Sequence, residues 1–144
     1  MRISDVMTTD VEFVDPGATA QQAAELMGEL DVGALPVGSA VEVEGIVTDR
    51  DLLFRVVAAG RDGSSTLVRD VLSRPVIACR DTDAVTDALD VMAANHIRRL
   101  LVRDEGGRVV GWVTMADLSR KLLVESRLMQ SALQDLTKGT ATAA

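Results

Sequence analysis

The sequence predicts an α/β protein with mixed sheets (α+β), built from two β-α-β-β-α motifs that are related by a pseudo-two-fold axis. Three observations carry this prediction. The chain repeats itself with a period of roughly 65 residues, which suits a duplicated half-domain. Its 144 residues suit one domain with a real core. Hydrophobic residues make up 47% and charged residues 26%, as in ordinary globular proteins.

The repeat holds its register over most of the chain. Residues 5–37 placed over 70–102 give seven identities, and 45–57 placed over 111–123 add five. Composition alone would give about four matches, so twelve in order indicate a duplication. A single motif leaves one sheet face bare, and a second copy covers it. The expected units are a first motif at 1–60, a linker at 61–67, a second motif at 68–125, and a C-terminal helix extension and tail at 126–144.

Each half has the same predicted order of elements. An extended piece, Val11–Val14 or Val76–Cys79, precedes a turn and a helix. Thr19 with Gln22 three residues later resembles a capping box at the first helix start. In the first half the expected strands are Ala34–Val37 and Val43–Val47, and a second helix starts near Asp49. In the second half they are Arg99–Val102 and Val109–Val113, and a second helix starts near Met115.

The last helix is expected to be longer than its counterpart in the first half. Its apolar residues recur at helical spacing and form one stripe: Leu118, Leu122, Met129, Leu133 and Leu136. The stripe favours assembly through this helix, and Thr137–Ala144 is expected to be a tail of small residues.

Composition excludes several classes of function. A net charge of −7 and a pI near 4.6 oppose binding to nucleic acids and anionic membranes. Aromatic residues make up only 2%, which leaves few platforms for stacked bases. Because Cys79 is the only cysteine, no intrachain disulfide is possible. Cys79 aligns with Val14 in the repeat, which favours a small apolar filler over a reactive thiol. The N-terminus has no apolar signal region and no run approaches the ~20 apolar residues of a membrane span, so we expect a cytoplasmic protein.

Catalysis has no support in the motifs. The chain has no Gly-x-Ser-x-Gly, no phosphate loop with Gly-Lys-Ser/Thr and no His-Glu-x-x-His. We therefore expect no enzyme, no catalytic residue, no metal site and no required cofactor.

Several short segments occur in both halves and resemble a known family. Gly45–Asp51 and Gly111–Asp117 resemble the Gly-apolar-apolar-Thr-x-x-Asp motif of cystathionine β-synthase (CBS) domains. Asp5–Met7, Gly33–Val37 and Arg98–Val102 resemble its other landmarks. The resemblance covers about residues 3–125 and is to a stand-alone tandem pair, a Bateman module. It implies two clefts that bind adenosine-containing ligands (AMP, ADP, ATP, NAD or S-adenosylmethionine) and a homodimer of flat shape.

The Thr-x-x-Asp motifs have two interpretations. Thr48 with Asp51, and Thr114 with Asp117, fit a capping box that satisfies free amides at a helix start. The same groups suit a phosphate and a ribose, and the resemblance implies that the Asp takes the ribose and the Thr lies by the phosphate.

The first cleft carries more positive charge than the second. By the resemblance, Arg98 and Arg99 face Thr48 and Asp51, where guanidinium groups suit phosphate, and Arg50 adds a third cation. The alternative is that Arg98 and Arg99 pair with surface acids. We expect this cleft to take a phosphorylated nucleotide.

The second cleft lacks these cations. By the resemblance it joins Thr114 and Asp117 to the strand entry that contains Ala34 and Pro36, and Ala116 replaces Arg50. We expect it to be empty or to take a less charged ligand.

Strand residues are candidates for the adenine pockets: Phe13, Val14, Ile77 and Ala78. The alternative for these apolar residues is plain core packing.

The function expected is a regulatory sensor that binds an adenosine nucleotide and signals to an unidentified protein partner by a shift between conformations. The alternative is a ligand-free module for protein–protein interaction or dimerisation. A third interpretation is an enzyme acting on a bound nucleotide.

Overall fold

The second half of the chain folds into the predicted order of strands and helices, and the first half follows the same order without its first strand. The computed structural model describes residues 1–143, with side chains described for residues 1–137, and over this part it has two sheets and four helices in a mixed α+β arrangement. The first half contains α1 (Ala20–Leu30), β1 (Ala34–Gly38), β2 (Val43–Thr48) and α2 (Asp49–Leu52), which continues as a π-helical turn, Leu53–Val57. The second half contains β3 (Ala78–Arg80), α3 (Val85–Asn95), β4 (Arg99–Arg103), β5 (Val109–Thr114) and α4 (Met115–Ala143).

The two sheets differ by one strand. In the second half β3 runs parallel to β4, and β4 pairs antiparallel with β5. In the first half β1 and β2 form the antiparallel pair, and the predicted extended piece Val11–Val14 contributes one parallel bridge, Val14 to Val37. The Val14 N–H donates to the Pro36 carbonyl, and the Gly38 N–H donates to the Val14 carbonyl. Pro36 of β1 has no N–H to donate to the segment before Val14, so the ladder does not extend in that direction.

Local sequence fixes the start of α1 as predicted. The Thr19 hydroxyl accepts a hydrogen bond from the Gln22 N–H at 3.1 Å, and the Gln22 side chain accepts one from the Thr19 N–H at 2.9 Å. This is the capping box that the spacing indicated.

The two halves exchange their leading segments. Ile3, at the start of the first motif, is fully buried in the core of the second half. Val68, Val71 and Leu72, at the start of the second motif, lie in the core of the first half. The remaining core residues of the first half are Val14, Ala20, Ala23, Met27, Leu35, Val37, Val47 and Val56. Those of the second half are Cys79, Val85, Ala88, Met92, Leu100, Val102, Val113 and Leu118. The exchange ties the halves together and fixes how they face each other.

Helix α4 extends well beyond the second core. Leu118 is fully buried and Leu122 packs against the same core, whereas Met129 and Leu133 are 68% and 59% exposed. The backbone stays helical through Ala143, so the tail expected from Thr137 begins as helix, and Ala144 lies outside the described residues. Although α4 is long, no helix in the described part of the chain is apolar enough over a sufficient length to cross a bilayer.

Candidate functional site

A cavity of about 220 Å³ lies where the motif of the first half meets the strand entry of the second. We call it the first cavity. Its wall is mostly apolar, with a hydroxyl pair and one guanidinium as its polar groups. The lining residues are Ile46, Thr48, Ser73, Pro75, Ile77, Ile97 and Arg99.

Thr48 and Asp51 form the capping box at the start of α2. The Thr48 N–H donates to Asp51 Oδ2 at 3.0 Å, and the Asp51 N–H donates to Thr48 Oγ1 at 3.1 Å. The Ser73 hydroxyl lies 2.9 Å from Asp51 Oδ1, and an Arg55 Nη1 lies 3.8 Å from the same oxygen. Asp51 is 8% exposed and is the buried charged residue of the described chain. Its carboxylate is therefore engaged inside the fold, while the Thr48 hydroxyl keeps its own proton to donate.

The three candidate arginines occupy different places. Arg99, half-buried at the start of β4, lines the first cavity with Thr48. Its guanidinium carbon lies 5.8 Å from the ring centre of Trp112. Arg98 is exposed and is not part of the cavity wall. Arg50 is also exposed, and its guanidinium carbon lies 4.8 Å from the ring centre of Phe54. The structure thus brings one of the three cations to Thr48.

A second cavity, of about 190 Å³, lies at the related position across the pseudo-two-fold axis. It is lined by Asp10, Val11, Glu12, Leu30, Val32, Ala34, Leu35, Pro36 and Trp112. Ala34 takes the place of Arg99 in the repeat, and Asp10 and Glu12 take the places of Pro75 and Ile77. Among these described lining residues none is a cation, so the second cavity is acidic where the first is basic.

Thr114 and Asp117 lie apart from the wall of the second cavity. The Asp117 N–H donates to Thr114 Oγ1 at 3.1 Å, as in the first half. The Asp117 carboxylate instead pairs with exposed Arg120 and borders an open groove of about 490 Å³ that also includes Asp5. The two Thr-x-x-Asp motifs are therefore alike in backbone and different in surroundings.

The four strand candidates lie in three different surroundings. Ile77 lines the first cavity, and Val14 is 5% exposed in the first core. Phe13 and Ala78 are half-buried and belong to neither cavity wall. Cys79 is buried in the second core, as the filler interpretation predicted. Burial raises the pKa of its thiol to about 11, and the Asp83 carboxylate adds to the increase, so it is protonated at neutral pH.

Sequence reasoning missed several residues of the two sites. The Ser73 hydroxyl donates a hydrogen bond to the Asp51 carboxylate. Trp112 lines the second cavity and contacts the Arg99 guanidinium. Asp10 and Glu12 give that cavity its charge. The available signal was the alignment of the two halves, in which Ser73 aligns with Thr8 and Trp112 aligns with Ile46. Comparing the chemistry at aligned positions would have found them.

Comparison with known families decides the relationship. The profile of the CBS domain matches residues 3–58 and again 68–124. The chain belongs to the CBS-domain family. It is a tandem CBS pair, as the repeated motifs indicated.

Similar proteins cover nearly the whole CBS pair. The CBS domain-containing protein YhcV of Bacillus subtilis is 40% identical over 117 residues, which span 81% of this chain and 82% of YhcV. Hypoxic response protein 1 of Mycobacterium tuberculosis is 38% identical over 120 residues, or 82% of either chain.

Solved structures agree on the fold. The crystal structure of a hypoxic response protein I with two coordinated zinc ions has a TM-score of 0.74 at 32% identity and covers 83% of this chain and 98% of that one. A hexameric CBS-CP12 protein from bloom-forming cyanobacteria has a TM-score of 0.73 at 26% identity, covering 82% of this chain and 66% of that one. Among the residues described here, no three His, Cys, Asp or Glu side chains group closely enough to hold a metal ion.

Proposed function

We propose that this CBS pair is a regulatory module that binds an adenosine nucleotide in the first cavity and signals to a partner by a shift between conformations. The observation that carries the proposal is the meeting of Thr48 from one half with Ile77 and Arg99 from the other around a single cavity. A ligand there touches both halves, so its binding free energy depends on their relative arrangement. A ligand that prefers one arrangement shifts the population toward it. No catalytic step is part of the proposal.

The wall of the first cavity suits the parts of a nucleotide. Ile46, Pro75, Ile77 and Ile97 offer apolar faces to a purine ring. The Thr48 hydroxyl and the Arg99 guanidinium are the donors available to phosphate oxygens. At about 220 Å³ the cavity is smaller than the ~300–1,000 Å³ typical for drug-sized ligands, so it holds a nucleoside-sized group and leaves further phosphates at its mouth.

The proposal assigns the nucleotide to one cavity. Asp10 and Glu12 line the second cavity, and carboxylates repel phosphate groups. The second cavity is therefore expected to reject phosphorylated ligands and to be empty or to take a ligand with less negative charge.

A thermal-shift screen tests the nucleotide site. The ligands are AMP, ADP, ATP, NAD and S-adenosylmethionine, added to wild type, Arg99→Gln and Arg108→Gln. Arg108 is exposed in the β4–β5 turn, so its variant removes the same charge away from the cavity. Ligand at 100 times its Kd should add about 2.7 kcal/mol to the free energy of unfolding of wild type and Arg108→Gln. Arg99→Gln should bind a phosphorylated ligand at least ~10-fold more weakly, because a charge-assisted hydrogen bond is lost.

The screen also separates the alternatives. If a phosphorylated ligand stabilises Arg99→Gln and wild type equally, that ligand binds elsewhere. A ligand without phosphate is expected to bind both proteins alike, because it does not need the Arg99 guanidinium. If none of the five ligands stabilises wild type, the nucleotide proposal is wrong and the interaction-module alternative takes its place.

Helix α4 supports assembly of the CBS pair through a second copy of the chain. Leu118 and Leu122 pack on the second core, and the same helix face continues past the core with Met129 and Leu133 exposed. Leu122 and Met129 are seven residues apart, the spacing of a coiled-coil seam, and such a seam is self-complementary in a symmetric dimer. An apolar helix stripe without cover is unfavourable in water. The related CBS-CP12 protein is hexameric, which agrees with assembly in this family.

We expect wild type to sediment as a dimer and the double variant Met129→Glu with Leu133→Glu to sediment as a monomer, because the new charges cannot be buried in the seam. Ser131→Glu with Gln134→Glu adds the same charge to the same helix at polar positions and should stay dimeric. Sedimentation velocity over a concentration series measures this. A monomeric wild type at the highest concentration would contradict the assembly proposal.

A further inference from the structure

The two cavities share a wall made by one contact. Arg99 lines the first cavity, and Trp112 lines the second. The Arg99 guanidinium carbon lies 5.8 Å from the Trp112 ring centre, within the distance of a cation–π contact. A side chain of the first cavity, Arg99, is therefore in contact with a side chain of the second cavity, Trp112.

The strand register explains how this contact arises. In the β4–β5 pair Arg99 lies opposite Thr114, and Trp112 lies opposite Leu101. Arg99 and Trp112 are thus diagonal neighbours on one face of the sheet, within reach of long and aromatic side chains. The other face carries Leu100 and its neighbours in the second core.

In this same position the Arg99 guanidinium lies near the start of α2. A Cβ added to Gly33 would lie 3.7 Å from Arg99 Nη1 and 3.0 Å from Asp49 Oδ2, so the guanidinium passes close to the start of α2. Thr48, the neighbour of Asp49, lines the same cavity. A small movement of one side chain would carry the charge from the Trp112 ring toward a group held at Thr48.

The first half of the repeat has no such contact. Ala34 and Ile46 occupy the positions of Arg99 and Trp112, and they offer neither a cation nor an aromatic ring. The contact is thus particular to the second half and leads from the basic cavity to the acidic one.

We propose that the Arg99–Trp112 contact couples the two cavities: a phosphate group in the first cavity draws Arg99 off the Trp112 ring and so changes the wall of the second. The inference rests on the proposed nucleotide site and adds its regulation. A charge-assisted hydrogen bond between guanidinium and phosphate is stronger than a cation–π contact at a partly exposed site, so phosphate wins the competition for Arg99. By linkage, a ligand that stacks on Trp112 in the second cavity strengthens phosphate binding in the first.

Trp112 provides the readout, because the chain has one tryptophan and no tyrosine. The probes are ATP and inorganic tripolyphosphate, which carries the charge without a ring. With either probe we expect a red shift of Trp112 emission and a higher acrylamide quenching constant in wild type and in Arg108→Gln. Arg99→Gln without any probe should already show the shifted emission and should respond no further.

Three results would overturn the coupling. Thermal stabilisation of wild type by ATP with unchanged emission would mean that Arg99 stays on the ring, and the nucleotide site would stand without the coupling. An emission shift that persists in Arg99→Gln would mean that the probe touches Trp112 itself. If ATP neither stabilises wild type nor changes its emission, the proposed nucleotide site and the coupling are both wrong. This result needs no variant.

Discussion

Replacing Gly45 with valine should lower the free energy of unfolding by about 3 kcal/mol or more, which corresponds to a fall in Tm of roughly 10 °C. Gly45 lies in β2, where the exchanged leading segment of the second half crosses it. A Cβ at this position would lie 2.7 Å from the Ser73 carbonyl oxygen and 2.6 Å from Leu72 Cδ1. The backbone oxygen cannot move aside without breaking the bridge between Ile46 and Ser73. Thermal or urea unfolding, monitored by circular dichroism, measures the loss.

Two other glycines serve as controls for this prediction. Gly28 lies in α1 with no atom within 4 Å of an added Cβ, so Gly28→Ala should stabilise by about 0.5–1 kcal/mol through helix propensity. Gly111 is the counterpart of Gly45, and its added Cβ would lie 2.6 Å from the flexible Met7 Sδ. The nearest backbone atom, the Thr8 carbonyl oxygen, would lie 3.0 Å away, compared with 2.7 Å for the Ser73 oxygen at Gly45. Gly111→Val should therefore cost less than Gly45→Val. A Gly45→Val protein as stable as wild type would show that the exchanged segment does not pack closely on β2.

Features that depend on near neighbours in the chain were predictable from the sequence. The hydrophobic alternation placed β1, β2, β4 and β5 to within about a residue at each end, since a strand needs only its own pattern and its turns. The Thr19 and Thr48 caps followed from a spacing of three residues. The CBS family followed from the repeat of three short motifs.

Features that depend on contacts between the halves were not predictable in this way. The exchange of leading segments brings Ser73 to Asp51, residues 22 apart in sequence, and no periodicity reports such a contact. The expected cluster of arginines reduces to Arg99 because Arg50 finds the Phe54 ring on its own helix and Arg98 faces solvent. An arginine in a motif is a flexible side chain with several possible partners, so its position depends on tertiary packing.

Asp51→Ala should lower the free energy of unfolding by about 3 kcal/mol, whereas the equivalent Asp117→Ala should cost less than about 1 kcal/mol. The Asp51 carboxylate accepts from the Thr48 N–H and the Ser73 hydroxyl and is buried, so its removal leaves both donors without an acceptor. The Asp117 carboxylate makes an exposed pair with Arg120, which contributes little in water. Urea unfolding of the two variants, with Asp51→Asn as the shape-preserving control, measures the difference.

The comparison bears directly on the proposed nucleotide site. If Asp51→Ala is strongly destabilised, the Asp51 carboxylate stabilises the contact between the two halves. A ligand then reaches this carboxylate only by competing with the Ser73 hydroxyl. Loss of binding in that variant would then report a disturbed cavity, and Arg99→Gln would remain the sharper test of phosphate recognition. If Asp51→Ala and Asp117→Ala have the same free energy of unfolding, the Asp51 carboxylate contributes little to the contact between the two halves. It would then be available to accept the hydroxyls of a ribose, and the first cavity would gain a second polar anchor beside Thr48.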